Sequence, residues 1–209
     1  IKQLLYYKNT AMDQFRNSKQ LINITMKKTI FLSLFVTATV LANAQVVQMT
    51  KTGKISFYSR AKSIDKVEAE NNEVSSILNP QTGDMVFAVL IKGFHFASAL
   101  MEEHFNENYL ESGKFPKSTF KGKIANLTAV NFAKDGVYPV TVEGDLTMHG
   151  VTKKASAPGS ITVKGSKIAA TAKFQVKLKD YSISIPSLVA DKISEDIDIT
   201  VDCKYEPKS

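Results

Sequence analysis

The side chains in this sequence that could do chemistry are few: His95, His104, His149, the single Cys203, and the neighbouring carboxylates Glu102-Glu103 and Glu195-Asp196. A zinc ion needs three or four ligands at about 2 Å in defined geometry. No two of the histidines have local ligand spacing, and there is no H-E-x-x-H. Asp145 and His149 share one strand face, yet four strand steps of about 3.3 Å hold them about 13 Å apart. The histidines are expected instead to form hydrogen bonds that tie a helix to a sheet. Cys203 is in phase with apolar residues, which predicts an inert core thiol, since a reactive one needs exposed, basic surroundings. Each carboxylate pair consists of sequence neighbours, which point apart on a helix or strand and make no acid/base couple. There is no G-x-S-x-G elbow, the glycines form no phosphate-cradling loop, and the Asn126-Leu127-Thr128 sequon reads as chance. No catalytic residue, metal or cofactor is expected, so the chemistry left is binding. With 12 Phe and no Trp, the chain can wall a cavity with apolar surface. Each Å² of ligand buried there is worth about 25 cal/mol.

The elements that must position such a cavity are strands. Ile197, Ile199, Val201, Cys203 and Tyr205 alternate with Asp196, Asp198, Thr200, Asp202 and Lys204. Val140, Val142, Gly144, Leu146 and Met148 alternate with Thr141, Glu143, Asp145, Thr147 and His149, and Phe174, Val176 and Leu178 alternate with lysines and Gln175. One apolar and one polar face per strand is the mark of antiparallel sheet wetted on one side. Turn signals at 79–83, Asp135-Gly136 (a tight hairpin between 126–132 and 137–149), Pro158-Gly159 and Gly165-Ser166 separate the runs. Eight or nine strands are predicted, at 52–60, 62–70, 72–79, 84–93, 118–131, 137–149, 152–164, 167–179 and 194–205. One helix is predicted over 98–112, with Ser98 as N-cap, Glu102 and Glu103 in its first turn and Gly113 as its stop. So many consecutive strands favour a closed antiparallel β-barrel, which has no exposed edges; a two-sheet sandwich is the competing architecture.

Residues 26–44 read as a secretory signal peptide: Lys27-Lys28, an apolar run of 12 residues from Ile30 to Leu41, and Ala42-Asn43-Ala44 before cleavage at Gln45. The run is short of the roughly 20 residues that span a bilayer, so no transmembrane anchor is expected in the mature form. Residues 1–25 precede Met26, the favoured start, and read as upstream sequence or as an extended positive region. The mature chain is expected to be periplasmic or secreted. The formal charge of +7 shrinks without residues 1–44, which carry six Lys or Arg and only Asp13 as an acid. The remaining 165 residues hold 21 basic and 19 acidic groups, interspersed, with Arg60 the sole arginine; nucleic acid is not an expected partner. That length suits one domain burying roughly 70% of its unfolded surface. With one cysteine, the core must hold the fold without disulfides.

Two blocks carry a resemblance. Leu100-Met101-Glu102-Glu103-His104-Phe105-Asn106-Glu107-Asn108-Tyr109-Leu110-Glu111 is followed by Lys114 to Phe120. Later come Val142-Glu143-Gly144-Asp145-Leu146-Thr147-Met148-His149-Gly150-Val151-Thr152-Lys153 and Lys177-Leu178-Lys179-Asp180-Tyr181. In order and spacing these resemble the YceI-like family of small bacterial barrels of lipocalin-like shape, and His104 matches the family's helix histidine. The amino-terminal part departs: where family members commonly have a histidine-bearing strand and a glycine-containing hairpin, this chain has Lys54-Ile55-Ser56-Phe57-Tyr58-Ser59 and a polar stretch to Asn72.

The resemblance implies an exported protein whose cavity holds a polyisoprenoid or similar long apolar lipid. The expected tail contacts are Phe57, Phe87, Val89, Phe94 and Phe96, with Met101, Phe105, Leu146 and Met148; a polar head would sit near His104 or Tyr109. A homodimer is the one protein partner expected. The alternation serves a filled core as well as a hollow one. A packed barrel acting through its outer surface, with no bound lipid, is therefore the alternative function.

Overall fold

The structure, a computed structural model, describes residues 46–59, 67–189 and 191–208. The expected leader, its cleavage before Gln45, residues 1–25 and the segment 60–66 lie outside the described residues. Eight antiparallel strands follow one another around a closed barrel. They are β1 (Gln48–Ser59), β2 (Val67–Leu78), β3 (Asp84–Leu90), β4 (Lys117–Ile124), β5 (Gly136–Met148), β6 (Val151–Lys164), β7 (Lys167–Lys177) and β8 (Asp196–Pro207). β8 pairs back onto β1, with Phe57 opposite Ile199, so the ladder has no free edge. The sandwich is excluded by that closure.

Chain direction alternates, so connections fall at two ends. At one end are the link after Ser59, the residues between β3 and β4, the His149-Gly150 turn and the residues between β7 and β8. At the other are the turns at 79–83 and 165–166 and the link 125–135. Helix α1 (Ala99–His104) belongs to the first end and continues as a π-helical turn, Phe105–Tyr109.

Apart from strand ends that shift by up to four residues, the sequence reading and the structure part at four places, each for a local reason. The expected strands 62–70 and 72–79 are, over the described residues, one strand, β2. Asn71, which looked like a break, is fully buried within it. Its side chain donates to the Leu90 carbonyl (2.9 Å) and accepts from the Glu73 N–H (2.8 Å), satisfying backbone that a pure ladder would leave unpaired. Second, β4 ends at Ile124, and 126–132 is a 3₁₀ turn and loop, so Asp135-Gly136 is not a two-residue hairpin. The apolar Leu127, Val130 and Phe132 that mimicked a strand pack against the closed end of the core. Asn126 is committed there, pairing with the Pro139 carbonyl and the Thr141 N–H. Third, Pro158-Gly159 lies inside β6. Its missing N–H is harmless, because β6 pairs β7 only over Gly159–Lys164, leaving Pro158 outside that ladder. Fourth, the helix does not run regularly to Gly113. Ser98 caps it, its hydroxyl accepting from the Met101 N–H, but the left-handed residue that ends it is Glu111 (φ 43°). The wider π turn, closed by Leu110 N–H to the Phe105 carbonyl, keeps Phe105, Tyr109 and Leu110 together on the inner side.

Two glycine positions are required. Gly122 and Gly144 face each other across β4 and β5, and a Cβ on Gly144 would meet the Lys121 carbonyl at 2.4 Å and the Gly122 Cα at 2.5 Å. The Phe120 ring lies over both. Among the described residues no helix is long and apolar enough to cross a membrane.

Candidate functional site

The inward faces do not fill the barrel. At the helix end they enclose a cavity of about 300 Å³. Its wall is built by alternation: Phe57 from β1, Val89 from β3, Leu146 and Met148 from β5, Phe174 and Val176 from β7, Ile197 and Ile199 from β8. The segment between β3 and β4 adds Phe94, Phe96, Met101 and Phe105. Four of these rings pack as one group. Phe57 stacks on Phe105 (5.4 Å between centroids, 20°) and meets Phe94 and Phe96 at 5.5 and 5.7 Å, while Phe96 and Phe105 are 5.1 Å apart. Such contacts are worth about 0.5–1.5 kcal/mol each beyond buried area, so they stiffen the wall without needing a filled centre.

A smaller chamber of about 110 Å³ lies beyond, lined by Met85, Phe87, Phe120, Val140, Ala157 and Ile161 among others. The two share Ile55, Val89, Ser118, Leu146 and Phe174, a ring contributed by five strands that forms a waist. Only His104, Tyr109, Ser118 and Lys192 bring polar side chains to the larger cavity. His104 and Lys192 are exposed, and burial pushes the Tyr109 hydroxyl above its ordinary pKa. The lining is otherwise apolar, and its one lysine is turned to solvent far enough to be exposed.

Of the eleven residues singled out from sequence, ten surround the larger cavity: Phe57, Val89, Phe94, Phe96, Met101, His104, Phe105, Tyr109, Leu146 and Met148. Phe87 stands apart in the smaller chamber, edge-on to Phe120 at 6.2 Å. The sequence reading missed Ile55, Ser118, Phe174, Val176, Ile197 and Ile199. Four of these belong to apolar faces already legible on β7 and β8, and closure alone would have sent them inward. Val189, Lys192 and Ile193 come from the irregular link before β8, where no period exists to read.

The other reactive side chains are structural. His149, at φ 49°, forms with Gly150 (φ 75°) the two-residue turn joining β5 to β6. Its Nε2 lies 2.7 Å from Glu111 Oε2, its Nδ1 lies 3.1 Å from the Tyr181 carbonyl, and its ring meets Phe115 edge-on at 4.7 Å. It therefore joins the helix end to the segment after β7. His95 Nδ1 lies 3.5 Å from Glu102 Oε2, and Glu102 also accepts from the Phe96 N–H. Cys203 is fully buried, and burial pushes its thiol up to about 12. Among the described residues no three His, Cys, Asp or Glu are grouped to hold a metal ion.

A closed eight-stranded antiparallel barrel with an apolar cavity under a helical mouth is a lipocalin-like architecture. The YceI-like domain family matches residues 37–205, and the chain belongs to it. Three solved structures share the fold at low identity. A polyisoprenoid-binding domain from Saccharophagus degradans, implicated in plant cell wall breakdown, superposes with a TM-score of 0.68 at 15% identity, covering 78% of this chain and 99% of that one. BcnA of Burkholderia cenocepacia gives 0.62 at 14%, covering 74% and 96%. The YceI protein of Campylobacter jejuni gives 0.54 at 18%, covering 70% and 88%. Comparison with curated proteins returns no match.

Proposed function

We propose that this protein is an exported lipid-binding barrel whose cavity takes the tail of a polyisoprenoid or similar long apolar molecule, binding it without catalysis. The observation that carries this reading is the apolar cavity of about 300 Å³ under the helical mouth, walled by the Phe57, Phe94, Phe96 and Phe105 rings. At about 25 cal/mol per Å², burying a long hydrocarbon there supplies binding energy with few polar contacts. The polyisoprenoid-binding S. degradans domain, which has the same fold, supports that class of ligand. Export rests on residues 26–44, whose charge, apolar run and small-residue end have the form of a cleaved leader. For self-association the outer face of β2 and β3 is the candidate surface, where Ile77 and Val86 pair and stay exposed.

The test is to express the full chain in a bacterium, recover the protein from the periplasm or medium, and apply native mass spectrometry with lipid extraction. The expected result is an amino terminus at Gln45 and a co-purifying apolar chain. Recovery of only empty protein that takes up no added polyprenyl lipid would overturn the lipid reading. An uncleaved cytoplasmic product would overturn export.

A further inference from the structure

We propose that Ser118 is a polar subsite inside the cavity, and that it selects a ligand carrying a small uncharged oxygen group, a hydroxyl or carbonyl, bound at the waist between the two chambers. The inference rests on the cavity holding a lipid and adds which kind and in which orientation. Three buried side-chain atoms among the described residues have no hydrogen-bond partner: Gln48 Oε1, Asn106 Oδ1 and Ser118 Oγ. Of the three residues only Ser118 lines either chamber, and it lines both. Its side chain is inward by strand phase, with Phe120 and Ile124 on the same face of β4, and the residue is 9% exposed.

Leaving such a hydroxyl unpaired costs about 1–3 kcal/mol, and an apolar residue would fill the position without that cost. Water answers poorly here, because a buried water needs two to four polar partners. The other members of the waist ring, Ile55, Val89, Leu146 and Phe174, supply none. The other hydroxyl residues of the smaller chamber belong to the opposite strand phase: Thr119 alternates with Ser118 on β4, and Ser160 and Thr171 are bonded to each other at 2.9 Å in an exposed pair. A ligand oxygen at the waist is thus the partner the site lacks. A neutral group suits it: no cationic side chain reaches the waist, since Lys192 and His104 line only the larger cavity and are exposed. The ligand would lie oxygen-inward, its hydrocarbon running out past the phenylalanine rings towards the mouth. The sequence-based expectation had placed the polar head beside His104 or Tyr109.

The experiment compares phytanol and phytane, which share one branched isoprenoid skeleton and differ by the hydroxyl, in displacing a fluorescent apolar probe from the purified protein. Ser118→Ala is expected to weaken phytanol about tenfold, the worth of one hydrogen bond, and to leave phytane within about twofold. Ser118→Thr, which keeps the hydroxyl, should retain most of the phytanol affinity. Thermal unfolding of each variant checks that the barrel is intact. Equal effects of Ser118→Ala on both ligands, or none on either, would overturn the subsite while leaving lipid binding standing. Displacement by neither ligand in the unsubstituted protein would overturn both.

Discussion

The two ends of the barrel are built from one pattern and come out differently. At the closed end Leu78, Ile161 and Cys203 are fully buried, Tyr205 bonds to Ser76 at 2.8 Å, and Leu127, Val130 and Phe132 from the link between β4 and β5 pack on beneath. At the helix end, inward positions of the same period hold rings that lean on one another and leave about 300 Å³ between them. Alternation decides only which face is apolar. Whether that face meets another side chain or empty space depends on what the connections bring to each end. The link 125–135 supplies a plug, whereas the helix and its π turn supply a rim.

That contrast can be tested by mutation, beginning with the largest effect. Leu78→Ala should cost about 2–5 kcal/mol in urea unfolding, since it removes fully buried atoms from a position that lines neither chamber. Leu146→Ala at the waist, where space already exists, should cost clearly less. Equal losses would mean that the two ends are packed alike.

The closed end should also show in pH dependence. The Cys203 thiol is raised to about 12 from its ordinary 9, first by burial and then by Asp202. A group with a raised folded pKa contributes stability below its unfolded value that is lost as pH climbs towards the folded one. Stability should therefore fall by about 1.4 kcal/mol between pH 8 and 10 on this account. Tyr205 is raised too, so the measurement is the difference in slope between the unsubstituted protein and Cys203→Ala. Parallel curves would show that the thiol is not held in a dry core.

Ala157→Phe should fill the smaller chamber at a cost of about 1–3 kcal/mol and leave the accepted chain length unchanged, since the hydrocarbon runs from the waist to the mouth. A shift to shorter chains would mean that the ligand passes the waist. The smallest effect is expected from Asp145→Asn, under about 0.5 kcal/mol by thermal melt. Its pair with Lys154 is exposed on the outer wall, although it sits in one of the two family-like blocks. A larger loss would give that block a role beyond the spacing of Gly144 and Leu146.

Most strands were legible because period two survives wherever one face meets water, as on β5, β7 and β8. Legibility failed where a polar side chain replaced a backbone partner, as Asn71 does inside β2, and where apolar residues without a ladder imitated one, as Leu127 to Phe132 do. The site shows the same division. Phe57, Phe105 and their neighbours are conspicuous by residue type. Ser118 carries no signal in the sequence, because an unpaired buried hydroxyl is defined by what surrounds it and not by its neighbours in the chain.

By itself, then, the sequence determined which side of each strand is apolar, where the single helix starts at Ser98, and which rings gather near it, because these follow from local spacing and capping. The tertiary structure alone decided that β8 closes onto β1, that one end is plugged and the other open, and that a lone hydroxyl stands at the waist. The physical reason is range. Periodicity is fixed by the pleat within one strand, while hollowness depends on the volumes of residues scattered over more than a hundred positions meeting around one axis.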